Sequence, residues 1–208
     1  MGNIYGNKPA PVDELNPWMA IWGTPRKAIR SAINYPNIQL VMQLVVVAGI
    51  INILDRAVGK NLGDKMPFLL VLLLALVGGA IAGFIGWWIL AGLMTFIGKW
   101  FGGLGTYKEM KIAVGISYIP MAISGILYIF DVLFLGTSLF MDVEISVFQV
   151  LWLLFSSSIG LVLSFWSLFI LIKGIAEVHR FSSWKGLLTL FMPFIILMLF
   201  VLVIIFMI

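Results

Sequence analysis

The side chains that could take part in chemistry are few in this 208-residue chain. There is one histidine, His179, and there is no cysteine, so a multi-histidine metal site and thiolate chemistry are excluded within one chain. No HExxH, GxSxG or Walker A pattern occurs. The glycine-rich stretch at 102–105 lacks the Lys-Ser/Thr of a phosphate loop and is typical of a turn. The sequence therefore predicts no enzyme, no metal and no cofactor.

The segment 173–186 has the densest group of side chains that could exchange protons. Lys173 and Glu177 have the i, i+4 spacing of a helical ion pair, and His179 and Arg180 follow them. A proton-linked site is one interpretation, because histidine titrates near neutral pH. The favoured interpretation is a solvated helix end followed by a Ser-Ser turn.

Two stripes of small residues and one acid stand out inside the apolar segments. Small residues let membrane helices approach closely, and hydroxyl groups can bond across such a contact. We therefore expect both stripes to pack within a bundle, and a polar pathway beside the serine stripe is the alternative. Asp131 is a candidate for that pathway, but it lies about one turn from the end of its apolar segment, which favours an interfacial position. The stripes are Gly79, Gly83 and Gly86, and Ser157, Gly160 and Ser164.

The candidate residues lie in or beside long apolar segments. These segments identify the class of protein. Apolar residues make up 62% of the chain and charged residues 11%, whereas a soluble domain has about 25% charged residues. Uncharged runs of 18 or more residues predict transmembrane helices. The second run is longer than a bilayer core requires, and Gly78–Gly79 is the expected place for a bend. We predict an all-α integral membrane protein, a bundle of five transmembrane helices at about 38–54, 67–98, 112–135, 145–172 and 187–208.

The distribution of lysine and arginine predicts how these helices are oriented, because positive residues stay in the cytoplasm. With five spans, ten of these residues lie on the face of the N-terminal arm (1–36), and three lie on the other face. The N-terminus is therefore expected inside and the C-terminus outside. Scattered charges of this kind do not predict a nucleic-acid partner. The ten are Lys8, Arg26, Lys27, Arg30, Lys99, Lys108, Lys111, Lys173, Arg180 and Lys185.

Within the arm, the segment 24–34 predicts an amphipathic helix. Thr24 suits the N-cap, and Pro25 suits the first helical turn. Ile29 and its neighbours form an apolar face, which is typical of a helix lying in the membrane interface. Its expected role is to orient the first span and touch anionic lipid, and docking of a partner is the alternative. The basic face carries Arg26, Lys27 and Arg30.

Three short motifs follow one another along the chain. They are TPRKAIR before the first span, GLGTYKEMKIAVGISYIP before and within the third, and GIAEVHRFSSWKG after the fourth. In the second motif, Thr106 and Glu109 have the spacing of a capping box, so the third helix is expected to begin at about Tyr107. In this order and with five spans, the motifs resemble the Yip family of membrane proteins, in its bacterial branch.

The resemblance implies a five-helix bundle with a cytoplasmic N-terminus in the bacterial plasma membrane, and no enzymatic activity. Eukaryotic relatives act in vesicle traffic and associate with small GTPases and with one another. They carry an Asp-Leu-Tyr-Gly-Pro-type stretch before the first span that is missing here, so GTPase binding is not carried over. Some bacterial members look like accessory proteins for export systems or envelope stress.

We therefore expect a non-enzymatic membrane adaptor or accessory protein. Its partners would be membrane lipids and either another membrane protein or a second copy, which would pack on the glycine stripe of the second span. A transporter or lipid-moving protein, with a polar path beside the fourth span, is the alternative. The residues expected to contact a partner or lipid are Arg26, Lys27, Arg30, Lys108, Glu177, His179 and Arg180.

Overall fold

Five helical segments long and apolar enough to cross a membrane form the body of the protein. The computed structural model describes residues 14–207, and no strand occurs among them. The predicted all-α membrane protein with five spans is therefore confirmed. The helices in chain order are α1 (Pro17–Gly23), α2 (Pro25–Asn34), α3 (Ile38–Gly59), α4 (Phe68–Leu73), α5 (Gly79–Trp100), α6 (Tyr107–Ser117), α7 (Ile119–Leu135), α8 (Val147–Val178) and α9 (Ser183–Met207). Span 1 is α3, span 2 is α4 with α5, span 3 is α6 with α7, span 4 is α8 and span 5 is α9.

Several helices extend past the uncharged runs that the sequence marks out. Span 1 continues through Asp55 and Arg56 to Gly59, and span 4 continues through Lys173 to Val178. A charge makes burial in hydrocarbon costly, but it does not end the hydrogen-bonded ladder of a helix. The helix bounds are therefore wider than the predicted membrane bounds.

Two of the spans are interrupted where glycine or proline occurs. Span 2 contains a π-helical turn at Leu74–Gly78, directly beside the predicted bend at Gly78–Gly79. Span 3 is divided at Tyr118, two residues before Pro120, which has no N–H to donate to the preceding turn. Span 5 continues as one helix through Pro193.

The N-terminal arm packs against the bundle in its described part. The predicted helix at 24–34 is present as α2, and its Ala28 and Ile29 are fully buried. Ile29 belongs to the same apolar core as Ile175 of α8 and Met110 of α6. The apolar face of α2 is thus covered by protein. Of the ten basic residues counted above, Lys8 lies outside the described residues.

The outward-facing surface of the spans is apolar, as a membrane requires. Exposed leucine, isoleucine and phenylalanine side chains occur along spans 2, 4 and 5, and span 5 is the least buried of the five. A soluble protein rarely exposes apolar patches of this extent. Contact with lipid therefore follows directly from the fold.

Candidate functional site

The three sequence motifs meet at one end of the bundle. Helix α2 packs on α6 and on the end of α8, so the first and third motifs lie side by side. The turn before α6 completes the group, because the Leu104 N–H donates to the carbonyl of His179 at 3.3 Å. We call this group the motif cluster and define it as Arg26, Arg30, Glu109, Glu177 and His179.

Glu177 is the charged centre of the motif cluster. Its two carboxylate oxygens accept hydrogen bonds from Arg26 Nε at 2.9 Å and Arg30 Nε at 2.8 Å. The arginines also bond to the end of α8, where a terminal guanidinium nitrogen of Arg30 donates to the Glu177 carbonyl at 2.7 Å. The last carbonyls of a helix lack partners and carry partial negative charge, so arginine is favoured there. The ion pairs therefore tie the arm to span 4.

A second carboxylate links the motif cluster to the start of span 3. Glu109 forms the predicted capping box with Thr106, and its Oε2 accepts the Thr106 N–H at 3.0 Å. Its other oxygen lies 3.9 Å from the Arg30 guanidinium. Arg30 is thus placed between Glu109 and Glu177, and it joins three segments that are distant in sequence.

His179 is buried, with 1% of its surface exposed. Its Nδ1 accepts the Gly105 N–H at 3.2 Å, and its Nε2 lies 3.1 Å from the carbonyl of Met94. A carbonyl can only accept, so these partners assign the proton to Nε2 and make the ring neutral. Burial lowers the pKa of His179, because a charged imidazolium would lose its hydration. The ring also stacks on Phe181, with 5.3 Å between the ring centres.

Three glycines form the walls around the imidazole. A Cβ added at Gly98, Gly103 or Gly105 would collide with a ring atom of His179. Gly102 has a φ of 79°, which favours glycine as well. The stretch at 102–105 lies in the non-helical connection between α5 and α6, which opens with a turn at Phe101 and Gly102. Close contact with the histidine explains Gly103 and Gly105, and the positive φ explains Gly102.

A comparison with models of protein families identifies the family that contains the three motifs and the motif cluster. The model of the Yip1 domain matches residues 20–205, which include all three motifs and the whole motif cluster. The chain belongs to the Yip1 family. Comparison with curated proteins found no match, and comparison with solved structures found none either.

Two predictions about segment 173–186 of this Yip1 domain are wrong. Lys173 does not pair with Glu177; its Nζ donates to Ser183 Oγ at 3.0 Å, while Glu177 faces the two arginines. The end of span 4 is not solvated either, because His179 is buried. Both errors have one cause: the partners of Glu177 and His179 lie 74 to 151 positions away, which local spacing cannot reveal.

Other predicted contact residues lie around the motif cluster and face outward. Lys27, Lys108 and Arg180 are exposed, and none of the ion pairs among residues 14–207 includes them. Arg180 has a φ of 58°, and the following Phe181 N–H donates to the Ala176 carbonyl at 3.0 Å. This pattern is a Schellman turn, in which glycine is the usual residue.

The glycine stripe of span 2 is occupied within the Yip1 domain. Gly79 and Gly83 lie against Gly49 of span 1, and a Cβ on Gly83 would come within 2.7 Å of the Val45 carbonyl oxygen. A second protein cannot use this face while span 1 covers it, so the expectation that a partner packs there is wrong. Gly86 differs, because a Cβ there would meet no atom within 4 Å.

Asp131 lies inside the bundle and not at its surface. It is 6% exposed, and its two oxygens accept hydrogen bonds from Trp152 Nε1 at 2.7 Å and Ser156 Oγ at 3.0 Å. Burial within the bundle is compatible with a position near the end of the span, so the interfacial position stays a prediction. Sequence reasoning missed both donors, although their i, i+4 spacing on span 4 places them on one face.

A polar cavity of about 270 Å³ lies beside Asp131, between spans 1, 3 and 4. The serine stripe contributes to it, since Ser157, Gly160 and Ser164 are among its lining residues. Asp55 of span 1 also lines it and accepts a hydrogen bond from the Tyr128 hydroxyl. These serines therefore do not pack tightly against a neighbouring span. No group of three or more histidine, cysteine or acidic residues that could hold a metal occurs in residues 14–207.

Proposed function

We propose that this Yip1-family protein is a non-enzymatic membrane adaptor that binds a membrane-protein partner at the motif cluster. One observation carries the proposal: Arg26 and Arg30 of α2 both bond to Glu177 of α8, and Arg30 also lies 3.9 Å from Glu109 of α6, so three distant segments form one surface. An internally satisfied network of this kind holds a surface in a fixed shape. It offers no nucleophile paired with a base.

The charged side chains outside the arginine–glutamate ion pairs indicate which kind of partner this surface would bind. Glu109 and Glu177 are neutralised by arginine, so the exposed Lys27, Lys108 and Arg180 give the surface a positive charge. Exposed apolar side chains accompany them at Leu104 and Trp184. Tryptophan and arginine are enriched at the energetic centres of protein interfaces. We expect the partner to present acidic and apolar side chains.

The bacterial plasma membrane is the proposed location, with the motif cluster on its cytoplasmic side. The excess of lysine and arginine at this end of the bundle supports that orientation. The chain has no cysteine, so single-cysteine labelling tests the orientation without further changes. In intact cells, a membrane-impermeant maleimide should label Lys60→Cys and spare Lys108→Cys. The reverse pattern would overturn the proposed orientation.

The adaptor proposal is tested by crosslinking and affinity capture of the full chain from its own membranes. The variant Lys27→Ala/Lys108→Ala/Arg180→Ala removes exposed charge and leaves the ion pairs intact. Lys60→Ala/Lys65→Ala removes charge from the other end of the bundle and serves as the control. The first variant should lose a distinct membrane protein that the wild type and the control retain. Equal capture by all three proteins would refute the proposal.

A transporter or lipid-moving protein is the second candidate, and the cavity beside Asp131 favours it. A polar cavity between spans could carry a lipid head group across the membrane. The test is dithionite bleaching of NBD-labelled phosphatidylethanolamine in vesicles that contain the purified protein. Accelerated bleaching that Asp131→Asn or Ser164→Leu abolishes would support lipid movement. Bleaching equal to that of protein-free vesicles would eliminate it for this lipid.

A further inference from the structure

A second cavity, of about 370 Å³, lies between spans 1, 2 and 3. It is separate from the motif cluster and takes no part in the proposed adaptor surface. One end carries polar side chains, whereas its walls are largely apolar or glycine. Its lining residues include Val45, Asn52, Arg56, Gly83, Gly86 and Trp87.

The polar end is formed by Arg56 and Asn52, which are one helical turn apart on span 1. Arg56 Nε donates to Asn52 Oδ1 at 3.0 Å, which holds the guanidinium at the cavity. None of the ion pairs among residues 14–207 includes Arg56, and its terminal N–H groups have no acceptor there. The neighbouring carboxylate of Asp55 is engaged by Tyr128 beside the other cavity. The guanidinium is thus a free site for an anion.

The rest of the cavity wall is apolar and open, as a binding site for a hydrocarbon chain requires. At Gly86 a Cβ would meet no atom within 4 Å, so the missing side chain leaves open space. Along span 1 the cavity extends from Val45 to Arg56, which at 1.5 Å per residue is about 16 Å. One leaflet of a bilayer core has about this thickness. Arg56 and Gly86 are both exposed, so the cavity is accessible from the surrounding membrane.

We propose that this cavity binds an anionic phospholipid. The phosphate accepts hydrogen bonds from Arg56 and Asn52, and one acyl chain lies along the open space at Gly86. Guanidinium forks match phosphate oxygens in geometry and charge. A water-soluble anion would leave the apolar part of the wall uncovered, which is why a lipid fits better than free phosphate.

The test measures binding of dioctanoyl-phosphatidylglycerol to the full chain in detergent, by native mass spectrometry and by thermophoresis. Arg56→Gln should weaken binding at least tenfold, and Lys60→Gln, which removes a nearby charge outside the cavity, should change it less than twofold. Gly86→Leu fills the open space and should also weaken binding tenfold. Dioctanoyl-phosphatidylcholine should bind more weakly than the anionic lipid.

Three outcomes would overturn the proposal. The first is that Arg56→Gln binds the lipid as tightly as the wild type, which would show that the guanidinium does not contribute to binding. Lys60→Gln could lose as much affinity as Arg56→Gln, which would indicate general charge attraction. Inorganic phosphate could compete as strongly as the lipid, which would indicate a site for the free ion. The comparison of the two glutamine variants is decisive even where Gly86→Leu fails to fold.

Discussion

Replacing Glu177 by glutamine is expected to destabilise the motif cluster, because it removes the negative charge that Arg26 and Arg30 share. The Arg30 and Glu177 side chains are each 19% exposed. A hydrogen bond to a charged group contributes about 1.5–3 kcal/mol. The Arg26 side chain is 40% exposed, so water screens its bond and limits it to about 1 kcal/mol at most. Glutamine keeps one acceptor, and the expected cost is therefore about 2–3 kcal/mol in the free energy of unfolding.

The assay is thermal unfolding in detergent, followed by the fluorescence of the eight tryptophans. For a chain of this length, about 2–4 °C in Tm corresponds to 1 kcal/mol, so Glu177→Gln should lower Tm by about 4–12 °C. Glu144→Gln is the matched control, because Glu144 is exposed and makes no ion pair among residues 14–207. It should leave Tm within about 1 °C.

A double-mutant cycle of Glu177→Gln with Arg30→Gln isolates the interaction free energy between these two side chains. If the two side chains stabilise the fold through each other, the double variant should lose at least about 1.5 kcal/mol less than the sum of the single variants. Additive effects, or a Tm for Glu177→Gln equal to that of the wild type, would refute the assignment of Glu177 as the charged centre.

Three further predictions concern single positions. Since burial lowers the pKa of His179 below its ordinary value of 6.5, the unfolded chain binds more protons. The contribution of His179 to the free energy of unfolding should therefore be fully present above about pH 6.5 and should decline as the pH falls from there toward the lowered pKa. The measurement is Tm at pH 7.5 and at pH 5.5, and Tm should fall less between these two pH values in His179→Gln than in the wild type. Gly83→Val should cost about 1–3 kcal/mol in chemical unfolding, because its Cβ meets backbone atoms of span 1, whereas Gly86→Val should cost under about 1 kcal/mol. Arg180→Gly should raise the free energy of unfolding by up to about 1 kcal/mol, because glycine adopts the left-handed conformation without strain; a lower Tm would contradict the turn assignment.

Much of the architecture could be predicted because its causes are local. Each span is a run of apolar residues long enough to cross a bilayer, and no distant partner is needed to recognise it. The same holds for the capping box of Thr106 and Glu109, whose two members are three residues apart. The break between α5 and α6 at 102–105 also follows from its glycines, and a turn is present at Gly102.

The candidate site could be predicted only in part. The three motifs were recognised, but their meeting at one end of the bundle was not, because Arg30 and Glu177 are 147 residues apart. Spacing along a helix offered Lys173 as the partner of Glu177, and packing of α2 against α8 supplied arginines in its place. The small-residue stripe of span 4 suggested packing, yet it lines a cavity.

The sequence by itself determined the number of membrane helices, their approximate bounds and the capping box that begins α6. These properties depend on hydrophobicity summed over about 20 neighbours and on hydrogen bonds between residues close in the chain. Only the tertiary structure decided which polar group meets which, that His179 is enclosed by glycines, and that Asp131 turns toward Trp152. In a membrane bundle each helix is apolar on every side, so its rotation is set by contacts with its neighbours and cannot be derived from its own pattern.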